Sequence, residues 1–464
     1  MRKKLFATLT SLAAGAGLAF GQTEAPAELP SSVPSAAPVA PADIQPVPLA
    51  KPTAPSAGAA DITPEAKPTA TPAAPVLAPI APIPAGGCSP GCGGPGCVTW
   101  VPDETPRAWV NAEYLLWWVK RGPIAVPLAS TGSAASLGVL GSGGHPIGPD
   151  RFDYKEFNGG RLTAGAWMNK DGNIGVEASG FLLEQNGDGF GLASGAALPV
   201  LARPFIDTTT QGPNVRLLGL PGAFAGTLTV NSQSRIWGAE GNSVLRLMNG
   251  DTLSADLLSG FRFFDLEENL QIADTARLLA NGVTSFDGVG LVAPGTTQVV
   301  DRFDTRNYFY GGQVGSRVSF THGGLFADLT GKVAFGEVRE IVLTNGTTTL
   351  AGAAPAPATV PGGLLVTSAN AGRYTHQEFA VLPEAALRVG YRVCDNVSVH
   401  AGYNVLYLSK AVRPGEQIDP TVNPTTVPTS PSFGLPFGPP RPAVPVTSTD
   451  FWSHGLTVGL TLQF

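Results

Sequence analysis

From Trp109 to Phe464, apolar residues of this chain fall on alternate positions over and over. A period of two marks a strand with one apolar and one polar face. The alternation predicts ten strands, at about 108–119, 159–168, 173–184, 235–247, 252–265, 307–320, 324–335, 377–393, 396–408 and 452–464, with twelve as the other count the pattern allows. One face carries Tyr114, Leu116, Trp118, Leu253, Leu257, Phe261, Phe263, Tyr308, Tyr310, Val314 and Val318. It continues through Leu387, Val389, Tyr391, Val397, Val399, Tyr403 and Tyr407, and it is essentially free of charge. The opposite face carries Glu113, Arg161, Glu177, Glu240, Arg246, Asp256, Arg262, Arg317, Asp328, Lys332, Glu378, Glu384, Arg388 and Arg392, seven acids against seven bases.

A sheet in water buries its apolar face against a second layer. No helical pattern is present to supply one. Lipid supplies the cover if the sheet is a membrane wall, because Arg or Lys facing mid-bilayer costs about 2–4 kcal/mol. The connections agree. Four are tight turns, Asn169–Gly172, Met248–Asp251, Thr321–Gly323 and Cys394–Asp395, where Asn-Gly and Asp-Gly pairs favour positive φ. Five are long, at about 120–158, 185–234, 266–306, 336–376 and 409–451. Strict alternation of short and long connections is what an up-and-down barrel with both ends on one side requires. The expected fold is all-β: an up-and-down antiparallel transmembrane β-barrel over 107–464.

The last strand sharpens this expectation. Leu456, Val458, Leu460, Leu462 and Phe464 alternate with Thr457, Gly459, Thr461 and Gln463. A chain end frays unless docked. This one resembles the C-terminal targeting strand of bacterial outer-membrane barrels, which implies that its five apolar residues act as the assembly signal.

At the other end, Met1-Arg-Lys-Lys4 precedes an apolar stretch from Leu5 to Phe20, and Ala19-Phe-Gly21 offers small residues for cleavage. This reads as a secretory signal peptide over 1–21. Residues 22–87 hold 16 prolines and no aromatics, a composition that cannot bury enough apolar surface to fold. Extended as polyproline II, they would reach on the order of 200 Å, enough for a tether to cell-wall or periplasmic partners. Residues 88–106 are Cys- and Gly-rich. Cys88, Cys92 and Cys97 lie close together and Cys394 far away, so in an oxidising compartment several disulfide connectivities are open. Three cysteines without a nearby His fall short of a zinc set. Net charge of −6 signals no nucleic-acid surface.

Several segments, in one order, carry a further resemblance. They are Trp109-Val-Asn-Ala-Glu-Tyr-Leu-Leu-Trp-Trp118, Arg203-Pro-Phe205, Gly260-Phe-Arg-Phe-Phe-Asp-Leu266, Asp301-Arg-Phe-Asp-Thr-Arg-Asn307, Gly331-Lys-Val-Ala-Phe-Gly336, Gly402-Tyr-Asn-Val-Leu-Tyr407 and Arg413-Pro-Gly-Glu-Gln-Ile-Asp419. Residues 107–464 thereby resemble the planctomycete putative β-barrel porin family, a family of unknown function. The resemblance implies an outer-membrane barrel, with lipid and the barrel assembly machinery as partners. It brings no substrate, cofactor or catalytic residue.

Chemistry is sparse. Ten-stranded barrels include the omptin proteases, which work at the outer rim with His and paired acids. Here His145 and His376 approach that rim, as do Asp265, Asp301 and Asp304, but Arg262, Arg302 and Arg306 are interleaved with these acids, which favours ion pairing. No GxSxG, HExxH or P-loop pattern occurs. The expected function is a structural envelope component or a narrow, occluded porin. The alternatives are an adhesin-like barrel acting through its long outer loops and an outer-membrane rim hydrolase. Ten strands leave a small interior, so the balanced charges are expected to neutralise one another there.

Overall fold

The computed structural model describes residues 107–352 and 357–464. The expected signal peptide, the Pro-rich tether, and Cys88, Cys92 and Cys97 lie outside the described residues. Ten strands form the wall. They are β1 (Ala108–Val119), β2 (Glu156–Trp167), β3 (Ile174–Leu183), β4 (Phe224–Asn249) and β5 (Leu253–Leu278). They continue with β6 (Thr296–His322), β7 (Leu325–Ala351), β8 (Gly372–Cys394), β9 (Val397–Val412) and β10 (Ser448–Gln463). Each pairs antiparallel with the next, and β10 pairs with β1, closing the ring. Closure continues to the last residue: Phe464 O accepts from Arg107 N at 2.5 Å, and Phe464 N donates to Ala108 O at 2.8 Å. Among the described residues no helix is long and apolar enough to cross a membrane.

The tight turns sit at one end, called here the turn end. Gly172 and Gly323 adopt φ of 62° and 60°, the left-handed region that hairpin turns use and Gly tolerates. Asn249-Gly250 and Cys394-Asp395 do not depend on positive φ. Register shifts at Arg246/Met248 and Arg392/Cys394 absorb the geometry instead. Cys394 is disulfide-bonded.

Side-chain parity matches the alternation. Leu257, Phe261, Val314, Val318, Leu387, Val389, Leu456 and Val458 are exposed on the outer face. Their upper limit is an aromatic girdle in which His454 packs with Trp118 and Trp452 at ring separations of 6.0 and 5.5 Å. The girdle continues through Trp237, Phe263 and Tyr308. From Tyr308 to Phe320 the wall measures about 40 Å along the strand. A tilt of about 40° makes this about 30 Å of height, close to an apolar band with its flanking girdles.

The strands do not end at the girdle, and here the expectation is corrected. β4 to β7 run well past it, so the segments read as loops at 185–234, 266–306 and 336–376 are largely strand. Connections between wall strands shrink to 120–155, 184–223, 279–295, 352–371 and 413–447. The physical reason is an exchange of faces. Above the girdle the outer face of β4 carries Thr227, Thr229, Asn231, Gln233 and Arg235, while Leu228, Val230 and Ile236 are fully buried inside. On β5, Leu266, Leu270 and Ile272 point in, and Glu267 and Gln271 point out. The solvent around the wall changes from lipid to water, so the same alternation is written with opposite polarity.

The upper barrel is filled from the loop end. A hairpin of Leu201–Asp207 and Gly212–Gly219 inserts there. Arg203 on it donates to Asp274 Oδ2 at 2.7 Å and to Asp301 Oδ2 at 2.6 Å, and Arg216 Nε donates to Asp274 Oδ1 at 3.0 Å. Asp301 Oδ1 also accepts from the backbone N–H groups of Leu365 and Val366. Arg413, fully buried, holds the 413–447 connection to Glu268, with Nη2 to Oε1 at 2.8 Å.

Candidate functional site

The interior between girdle and turn end is built from alternate residues of every wall strand. At mid-height it is a lattice of ion pairs. Glu384 on β8 is its hub. Its carboxylate lies 2.5 Å from Arg262 Nη2 on β5, 3.4 Å from Arg161 Nη2 on β2, and 3.4 Å from Lys332 Nζ on β7. Lys332 also reaches Glu240 at 2.6 Å, and Arg262 Nη1 approaches Glu240 at 3.6 Å. Glu113 on β1 accepts from His400 Nε2 at 3.0 Å and has Arg161 and Arg388 at 3.7 and 3.9 Å. Arg317 meets Glu177 at 2.8 Å, Arg246 meets Asp256 at 3.0 Å, and Arg388 reaches Asp328 at 3.8 Å. The Glu384 side chain is only 3% exposed, so removing any one partner would leave a buried charge uncompensated.

Close packing of these groups needs small neighbours. A Cβ on Gly459 would sit 2.6 Å from His400 Nε2 and 2.8 Å from Glu113 Cγ. Glycine at 459 therefore makes room for the His400–Glu113 contact.

All fourteen charged residues read from the sequence face inward, as their parity requires. Twelve belong to the lattice. Two do not join it. Glu378 lies above the girdle, with Lys410 Nζ at 3.0 Å and His376 Nδ1 at 3.5 Å. Arg392 lies near the turn end without an acid within 4 Å among the described residues, lining a cavity of about 370 Å³ that extends up to the lattice. The cause is height, which parity does not encode. Leu456, Val458, Leu460 and Phe464 are exposed on the outer face of β10, and Leu462 shares it.

The neutral members of the lattice escaped sequence reading. Gln313 donates to Asn242 Oδ1 at 2.6 Å and to Glu240 Oε2 at 3.2 Å, bridging β6 to β4. Unpaired amides carry no pattern in sequence.

A second layer was also missed. Directly above the lattice lie Leu115, Trp117, Phe157, Phe181, Leu183, Ile236, Phe264, Phe309, Val338, Leu382, Leu406 and Phe451, all within 8% of full burial. All ten wall strands contribute to this layer. The Arg161 guanidinium joins the two layers, 5.5 Å from the Trp117 ring and 5.8 Å from the Phe181 ring.

The rim acids are engaged in ion pairs. Asp265 accepts from Arg306 at 2.7 Å and Trp237 Nε1 at 2.8 Å, Asp304 from Arg302 at 2.8 Å, and Asp301 from Arg203. His145 sits on a short connecting strand, His145–Ile147.

Residues 109–464 match the family described as "Putative beta barrel porin-7". No curated protein matches. Among solved structures, the outer membrane protease OmpT from Escherichia coli is 12% identical, covering 80% of this chain and 99% of its own, with a TM-score of 0.31. The P. putida toluene transporter TodX is 8% identical over 79% of this chain and 91% of its own, with a TM-score of 0.17. The assignment rests on the family match, which takes in the whole wall just described. This ring of lipid-facing strands around a charged interior belongs to the β-barrel porin family named "Putative beta barrel porin-7", and it is an outer-membrane barrel protein.

Proposed function

We propose that the protein is a closed outer-membrane barrel, a structural component of the envelope whose lumen does not conduct in its resting state. The observation that carries this reading is the stack of two seals. The lower is an ion-pair lattice of balanced sign, whereas an ion-selective pore favours rings of one sign. The upper is an apolar layer drawn from all ten strands, and apolar constrictions block ions by excluding water. Above both, the 201–219 hairpin fills the barrel and is pinned by buried Arg–Asp pairs. A non-enzymatic role is supported by the engagement of the rim acids in ion pairs. Export would follow from the signal peptide, and assembly from the machinery that reads the last strand, with lipid as the main partner and the Pro-rich segment as a tether. The reading is tested by liposome swelling with the purified full chain. Swelling in small sugars at the rate of protein-free vesicles is expected, and rapid, size-graded swelling would contradict it.

A further inference from the structure

We propose that Glu340, His376 and Glu378 form a binding site for a divalent transition ion of the zinc type, placed where two wall strands part. Glu340 on β7 stands directly opposite His376 on β8, and Glu378 follows two residues along the same inward face. One ligand atom from each lies within 4.8 Å of the others. His376 Nδ1 is 3.4 Å from Glu340 Oε2 and 3.5 Å from Glu378 Oε1. These distances are long for an N–H···O bond, which settles near 2.9–3.0 Å, a mode of about that value in proteins generally. They match neighbouring ligands around a tetrahedral ion: bonds of about 2.0–2.1 Å place ligand atoms roughly 3.3–3.4 Å apart.

Charge points the same way. The Glu340 side chain is 0% exposed. Its polar partners are one hydroxyl, Ser448 Oγ at 2.8 Å from each oxygen, and His376. No Lys or Arg of the described residues lies within 4 Å. The other buried acids above the girdle are compensated: Asp265 by Arg306, Glu268 by Arg413, and Asp274 and Asp301 by Arg203. Asp207, without an Arg, instead accepts from Thr209 N, Thr209 Oγ1 and Asn214 Nδ2. Glu340 has neither solution, and a buried carboxylate of this kind calls for a cation.

The donor set selects the ion. One imidazole nitrogen and two carboxylate oxygens, with water in a fourth place, suit zinc. Calcium and magnesium take six or more oxygens. Glu378 gives Oε2 to Lys410 and keeps Oε1 turned toward His376. His376 is 48% exposed, which provides an entry path. The location supplies a purpose. The β8–β9 ladder stops at Glu384↔Leu406, and above it β8 is paired along one side by β7. An ion here reinforces the β7–β8 pair where β8 has lost β9 as its other neighbour, and Ser448, bonded to Glu340, links the site to the start of β10.

The test is calorimetric titration of zinc chloride into the untagged full chain, folded in detergent with its disulfide intact. One zinc per chain is expected. Affinity should fall at least about tenfold in both His376→Ala and Glu378→Gln, while both variants keep heat-modifiable gel migration. Zinc should raise the unfolding temperature of the wild type and leave that of His376→Ala unmoved. No saturable uptake, or uptake equal in wild type and both variants, would overturn the site. Calcium binding as tight as zinc would overturn the choice of ion.

Discussion

At the scale of single residues, the interior is governed by compensation. Glu384 answers three cations from three other strands, so it is the position where truncation exposes the most imbalance. Glu384→Ala is expected to cost about 3–5 kcal/mol. Urea titration followed by gel migration should show the midpoint falling in proportion, and an unchanged midpoint would mean that water already screens these charges. Glu340 shows the reverse condition. Burial pushes its carboxyl above the usual carboxylate range, the nearby Glu378 charge adds to this, and the Ser448 and His376 contacts oppose it. An acid raised in this way contributes stability at low pH that is lost as pH rises through its folded value. Zinc would reverse the sign, because it must displace the proton. The zinc-induced rise in unfolding temperature should therefore shrink as pH falls. An increment constant between mildly acidic and neutral pH would count against Glu340 as a ligand. Which residues face inward was readable from parity alone. Which ones meet was not, because Glu378 and Arg392 share the parity of the lattice but stand above and below it.

At the scale of elements, the strand cores and their register could be read directly, while the strand ends could not. The expected limits at 265, 307 and 335 fall at the aromatic girdle, where lipid contact ceases, although β5, β6 and β7 continue. A search for apolar residues facing outward stops where the outer solvent becomes water. Thr227-Leu-Thr-Val-Asn-Ser-Gln-Ser-Arg-Ile236 alternates as strictly as any lower segment but with its faces exchanged. This exchange has a direct test. Val314→Lys and Gln271→Lys both place a charge on the outer face, one at the middle of the lipid band below the girdle and one above the girdle. The first should cost about 2–4 kcal/mol and reduce membrane insertion, and the second should be tolerated. Equal behaviour of the two in a membrane-fraction assay would refute the placement of the boundary. The last strand offers a second test. Phe464 bonds Arg107 and Ala108 through its backbone, so deleting it removes one rung of the closing β10–β1 ladder together with an outward aromatic. Outer-membrane levels should fall while export persists, and the four apolar residues from Leu456 to Leu462 should keep the loss partial. Unaltered levels would remove Phe464 from the assembly signal.

At the scale of the whole molecule, three regions of different polarity are stacked along one barrel axis: a polar vestibule at the turn end, an ion-pair lattice, and an apolar layer beneath a plugged upper barrel. The two stacked layers were unequally legible in the sequence. Seven acids against seven bases predicted neutralisation, but the apolar layer was hidden because Leu115, Phe264 and Leu382 continue the very parity that carries Glu113, Arg262 and Glu384. The buried staples were hidden differently. Arg203, Asp301 and Arg413 lie in segments that resemble the family, yet only the fold shows that they pin the cap to the wall. Two seals in series also predict that loosening one leaves the barrel closed. Single-channel recording of the purified full chain in planar bilayers tests this most directly. The wild type and Arg262→Ala should both lack stable conductance steps, because the apolar layer and the pinned 201–219 hairpin still block the lumen. Large, stable conductance from the wild-type protein would contradict the closed barrel.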